Sequence, residues 1–223
     1  MPRNVFDQEL ERLNGDLAEM GRRVDALMQG TIQCLKTMDV AKAGNIFTRD
    51  ADINAREKSI EQSCMNLIAL QQPLARDLRT ITATLKIITD MERIADQCAD
   101  ICEILSTVAG IAALSPSPKL LYMFDKAREM FCGALDAYIR RDCRLAESIC
   151  AADDEVDSLF SNTILELCGQ IGRGGADIPQ NVDLMFIAKY IERIADHATN
   201  LAEWAVFVET GVHPNLNDTQ AGQ

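Results

Sequence analysis

Apolar positions recur at helical spacing along almost the whole chain. Leu10, Leu13, Leu17, Met20, Val24, Leu27, Thr31, Cys34 and Met38 alternate steps of three and four, a heptad seam. This seam predicts a first helix over 5–39, a rod of about 50 Å at 1.5 Å per residue. A second helix is expected over 40–69, with Ile46, Ile53, Ile60 and Leu67 turned inward. Gln71-Gln72-Pro73 then reads as a short turn, with Pro73 suited to the first turn of a third helix that ends near Val108. Residues 109–118 form a linker. A fourth helix follows over 119–141, with a break at Asp142, and a fifth runs to Ile171. A glycine-rich turn over 172–179 precedes a sixth helix over 181–209. No run alternates apolar and polar residues in the manner of a strand. The pattern predicts an all-α fold of two tandem, pseudo-symmetric three-helix bundles with six long helices, one bundle in 1–110 and one in 118–210. The polar segment 211–223 reads as a disordered tail.

Charge narrows the partners. The net charge of −12 argues against nucleic acid, whose phosphates need a basic surface, and against docking on anionic lipid. No apolar run approaches the roughly 20 residues that span a bilayer, and no basic-then-apolar leader is visible. The expected location is the cytoplasm, without membrane insertion. The eight cysteines are scattered and lack the paired spacing of a zinc site, so they read as small buried thiols.

One pentapeptide occurs twice. Glu92-Arg93-Ile94-Ala95-Asp96 returns as Glu192-Arg193-Ile194-Ala195-Asp196, an offset of 100 residues. The flanks agree: Leu85, Ile88, Met91, Ile101 and Val108 meet Met185, Ala188, Ile191, Leu201 and Val208. A matched apolar pattern around an identical core marks an internal repeat. Each copy sets two acids four residues apart, on one helical face. The third helix is apolar on two sides, as a helix in the middle of a bundle would be. Carboxylates there repel each other and lose hydration, so they call for arginine partners, a solvent edge or cations.

Hairpin geometry groups more acids with them. In an antiparallel pair, residues equally far from the turn lie level. Asp50 and Asn54 on the second helix then face Glu92 and Asp96, and Asp153 and Asp157 face Glu192 and Asp196. Asp100 extends the first step, where the second copy has Asn200. An oxygen-only donor set suits hard cations such as Mg²⁺, Mn²⁺ or Fe³⁺. Ion-pair ladders through Arg93, Lys189 and Arg193 account for the same acids without a metal.

Catalytic chemistry is weakly represented, and no catalytic set is assembled. The glycine-rich turn lacks the Gly-Lys-Ser/Thr ending of a phosphate loop. His197 lies five residues from Glu192, not at the Glu-x-x-His spacing of di-iron bundles, and reads as structural.

At the repeated pentapeptide the chain resembles the PhoU family, accessory and regulatory proteins of phosphate transport. The stretch Tyr190-Ile191-Glu192-Arg193-Ile194-Ala195-Asp196-His197-Ala198-Thr199-Asn200 is similar to that family's signature, as are Gln72-Pro73-Leu74-Ala75-Arg76-Asp77-Leu78-Arg79 and Asp154-Glu155-Val156-Asp157. The resemblance spans roughly residues 5–210, with Ala95 and Ala195 where the family usually has glycine. It implies a cytoplasmic homodimer and metal sites, with iron described for some members and manganese or magnesium as alternatives. Those sites map onto Glu92, Asp96, Asp100, Glu192, Asp196, Asp50, Asp153 and Asp157. Asn54 in place of an acid weakens the first-half site. The implied function is not enzymatic. It is restraint of a phosphate ABC transporter through its ATP-binding subunit, and help to a sensor histidine kinase in silencing starvation genes when phosphate is plentiful. Arg76 and Arg79 are candidates for partner contact, with ion pairing at the helix start as the simpler reading. Two other functions are weighed: a metal-storage or metal-dependent carboxylate protein, and a structural coiled-coil adaptor.

Overall fold

A computed structural model describes residues 3–47, 50–107, 115–174 and 178–214. Seven helices appear among them: α1 (Arg3–Thr37), α2 (Val40–Phe47), α3 (Asp50–Gln71), α4 (Ala75–Thr107), α5 (Pro118–Arg140), α6 (Cys143–Gly172) and α7 (Ile178–Thr210). The described residues contain no strand, and the fold is all-α.

Local chemistry explains most boundaries. Met38 takes a positive φ of 53° and ends α1; the Asp39 carboxylate then accepts the Lys42 amide at 3.0 Å and starts α2. Gln72, at φ 48°, stops α3. Pro73 lies before α4 and not in its first turn, because Leu74 supplies the first carbonyl, to the amides of Asp77 and Leu78. Ser117 caps α5 through its hydroxyl, and Pro118 sits where no amide is needed. Arg141, left-handed at φ 59°, closes α5, and the carboxylate of Asp142 accepts the amides of Arg144 and Leu145 to open α6. The stretch read as one helix over 40–69 holds α2 and α3, and Thr48 and Arg49 between them lie outside the described residues. Ile46 of α2 and Ile53 of α3 are both buried, as the inward positions of that stretch predict.

The core runs through both repeats as one cluster. α4 packs against α1, α2, α3 and α7, while α7 packs against α4, α5 and α6. These are the two helices that carry the repeated pentapeptide. Ile94, Ala95, Cys98, Ile101 and Cys102 of α4 are buried, as are Ile194, Ala195, Ala198 and Leu201 of α7. Small residues at 95 and 195 suit the close approach of neighbouring helices. Phe124 and Phe131 of α5 are fully buried, and removing either ring would cost about 3–5 kcal/mol.

Polar links join the repeats as well. Arg128 of α5 grips Asp25 of α1 with two nitrogens, at 2.6 and 3.2 Å, and the Cys132 thiol donates to the same carboxylate at 3.3 Å. Tyr138 of α5 shares a buried hydrogen bond of 2.9 Å with Thr84 of α4. All eight cysteines are free thiols, and burial pushes those of Cys64 and Cys150 up to about 12. Of the segment read as a tail, Gly211–Pro214 is described, and the His213 ring packs 4.2 Å from Trp204; residues 215–223 lie outside the described residues.

Candidate functional site

The second repeat gathers its acids on facing stretches of α6 and α7. Asp153 is buried at 5% exposure, one turn from Asp157 on α6. Burial first, then the charges of Asp157, Asp196, Asp154 and Glu192, push the Asp153 carboxyl up to about 7. Asp157 is raised by burial and then by Glu192 and Asp154; Asp196 is raised by burial and then by Glu192. Lys189 answers Glu192 at 2.5 Å. The four acids expected here, Asp153, Asp157, Glu192 and Asp196, therefore sense one another's charge. The cluster holds more negative charge than its single lysine neutralises.

The first repeat differs. Glu92 and Asp96 lie on α4 and share Arg93, at 3.5 and 3.1 Å. The side chain of Asp50 lies outside the described residues. Asp100, one turn beyond Asp96, stands near Tyr190 of the other repeat and helps raise its phenol, after burial. The acid that does face α4 from α3 is Glu57, which accepts the Thr89 hydroxyl at 3.4 Å and is raised by burial and then by Glu61. Glu57 was missed in the sequence, although two signals mark it. It lies 100 residues before Asp157, and the midpoint of Glu57 and Glu92 is 74.5 where that of Asp157 and Glu192 is 174.5. By the same offset the counterpart of Asp153 is Ile53, buried in the core. The two sites thus share a frame but not a donor set.

Oxygen donors of this kind fit hard cations. Among the described residues, no three His, Cys, Asp or Glu side chains converge closely enough to hold one ion. The ion pairs of Arg93 and Lys189 occupy part of the same carboxylates.

Arg76 and Arg79 do not pair locally. Arg76 places one nitrogen 3.0 and 2.9 Å from the two oxygens of Glu209, and Arg79 donates to the Val208 carbonyl at 3.3 Å. Both arginines thereby fasten the start of α4 to the end of α7, where cations also suit the helix dipole. Arg141 adds a third contact to Glu209 at 3.4 Å. His197 reaches Asp90 on α4, as a structural role would have it. No described helix is long and apolar enough to cross a membrane.

This arrangement, two related three-helix repeats whose last helices pack together and carry the same acidic pentapeptide, defines a tandem-repeat helical protein of the PhoU type. The PhoU domain model matches the chain twice, over residues 17–105 and 120–205, and the chain belongs to the PhoU family. Two relatives named phosphate-specific transport system accessory protein PhoU homolog align along most of their length. The one from Clostridium acetobutylicum is 34% identical over 98% of this chain and 100% of its own. The one from Zymomonas mobilis is 35% identical over 93% and 87%. Among solved structures, PhoU from Pseudomonas aeruginosa superposes with a TM-score of 0.87 at 28% identity, covering 93% of this chain and 100% of that one. The phosphate transport system regulatory protein PhoU from Streptococcus pneumoniae does so with a TM-score of 0.88 at 26% identity, covering 94% and 99%.

Proposed function

We propose that this chain is a negative regulator of phosphate uptake and of the phosphate-starvation response. The observation that carries this is the near-complete alignment with accessory proteins of phosphate transport, in sequence and in fold. In this reading it acts as a cytoplasmic homodimer. It binds the ATP-binding subunit of the phosphate ABC transporter and a sensor histidine kinase when phosphate is plentiful. Its contribution is shape and charge; it has no reaction of its own. Two related helical faces on one core suit a bridge between two client proteins.

The test is a deletion strain grown in high phosphate, with phosphate uptake and alkaline phosphatase output measured together. Both stay high if the regulator reading is right. If neither changes, that reading is wrong for this protein.

The acidic cluster belongs to the same proposal as a hard-cation site, in which Asp153, Asp157, Glu192 and Asp196, not converged as they stand, would draw together around iron, manganese or magnesium. Support comes from burial and then mutual repulsion, which together raise three of those carboxyls and which a bound cation would offset. Metal analysis of protein from metal-replete cells tests it. Substoichiometric metal removes the site and leaves the regulatory reading intact. The ion pairs of Arg93 and Lys189 favour the rival, a metal-free adaptor, in which Asp96→Asn and Asp196→Asn change nothing.

A further inference from the structure

We propose that residues 211–214 form a pH-sensitive latch, which closes on the last turns of α7 when His213 takes up a proton and loosens when it gives the proton up.

The turn that carries the latch is built, not frayed. Gly211 takes a positive φ of 77°, and its amide donates to the Phe207 carbonyl at 2.8 Å, which ends α7. The Thr210 hydroxyl donates to the Val206 carbonyl at 2.9 Å and accepts the Val212 amide at 3.2 Å. A Cβ at Gly211 would also fall 3.2 Å from the Arg79 guanidinium of α4, so glycine suits this position on both counts. The reversal brings His213 back onto the helix it has just left.

Three side chains of α7 meet the imidazole there. Its ring centroid lies 4.2 Å from that of Trp204, at 73°, and 6.3 Å from that of Phe207. Trp204 and Phe207 pack edge to face at 5.4 Å. Nδ1 of His213 lies 4.0 Å from Oε2 of Glu203, whose side chain is only 10% exposed. A carboxylate so screened from water gains from a cation beside it. An imidazolium at this distance from an indole is drawn to its π-system as well. Neutral imidazole earns neither attraction in full. The contribution of the latch is therefore present at the acidic end and lost as pH rises.

The other charges around the turn leave this contact in control. Glu209 of α7 is held by Arg76 and Arg141. Arg79 opposes a second cation at Gly211, but it donates to the Val208 carbonyl. From α6, Cys150 faces Glu203, and burial and then that carboxylate keep its thiol protonated. His213 is thus the group here that changes charge between about pH 5 and 8.

Trp204 is the single tryptophan of the chain, so the intrinsic fluorescence of the full-length protein reads the latch directly. Emission and acrylamide quenching are followed between about pH 8 and pH 5. As pH falls, emission should drop, because an imidazolium in contact with an indole quenches it, and acrylamide should reach the ring less readily. His213→Gln should lose both changes. Glu203→Gln should lose the change in acrylamide access. His197→Gln, which removes the other histidine, should keep both. The proposal is overturned if acrylamide reaches Trp204 equally well at the two ends of the range. It is equally overturned if the changes survive in His213→Gln, or if Glu203→Gln behaves as the wild type. His213 lies beyond the last helix, so its replacement leaves the core intact. None of these outcomes bears on uptake in the deletion strain, so this proposal and the regulatory one fail separately.

Discussion

The imidazole Nδ1 of His197 lies 2.8 Å from the Oδ1 of Asp90, across the contact between α7 and α4. Asn200 donates to the same oxygen at 3.3 Å. One carboxylate of the first repeat is thus held by two side chains of the second. Both partners of the His197–Asp90 pair are largely screened from water, at 19% and 15% side-chain exposure. Asp90→Ala should cost about 1–3 kcal/mol, the range for a part-buried hydrogen bond to a charge. Asp90→Asn should cost less, because its carbonyl still accepts. Urea denaturation of the three proteins measures the difference.

The clamp on Glu209 should matter less. Arg76 is 57% exposed, so its pairing is screened. A double-mutant cycle between Arg76→Ala and Glu209→Ala should return a coupling of no more than about 1 kcal/mol, falling as salt rises. A larger, salt-independent coupling would mean that the pair is shielded in a way its exposure does not suggest.

Asp153 sets a pH dependence. Its carboxyl is raised to about 7 in the folded chain from an ordinary 3.8, so the native state holds the proton more tightly than the unfolded state. Its stabilising effect is complete below pH 3.8 and is lost as pH rises through about 7. In chelator, stability should therefore fall between pH 5 and pH 8, and Asp153→Asn should flatten that fall. Thermal melts across the pH range, with and without Mn²⁺, check the prediction; the cation should restore wild-type stability at pH 8 and leave Asp153→Asn unmoved.

Gly21 of α1 faces Leu135 of α5 with no room for a side chain. A Cβ there would fall 2.2 Å from Cδ2 of Leu135. Gly21→Ala gains about 1 kcal/mol of helix propensity but overpacks the crossing at a cost of about 1–3 kcal/mol. A small net destabilisation is expected, and in a Leu135→Ala background the same change should stabilise. A sign reversal between the two backgrounds, read from urea midpoints, is the diagnostic result.

The heptad seam of α1 and the two-sided apolar pattern of α4 were legible because burial repeats at the helical period. Caps were legible where the chemistry is local, as at Ser117-Pro118 and Asp142. The acidic cluster of the second repeat could be read from spacing and hairpin level. Glu57 escaped because the acid-x-x-x-acid step was sought at Asp50 and not carried across by the repeat offset. The contacts of Asp90, Arg76 and Arg79 had no signal at all. Each joins residues more than 100 positions apart, and neither period nor spacing reports such a meeting.

The union of α4 and α7 in one core has a mechanical consequence. A hinge between the repeats would have to break Asp90 from His197, Tyr138 from Thr84 and Arg128 from Asp25 together, along with the packing between them. The two carboxylate faces are therefore held at a fixed spacing, like the jaws of a gauge locked at one setting. A client that touches both must match that span, and one that touches a single face can tug on it without changing the other.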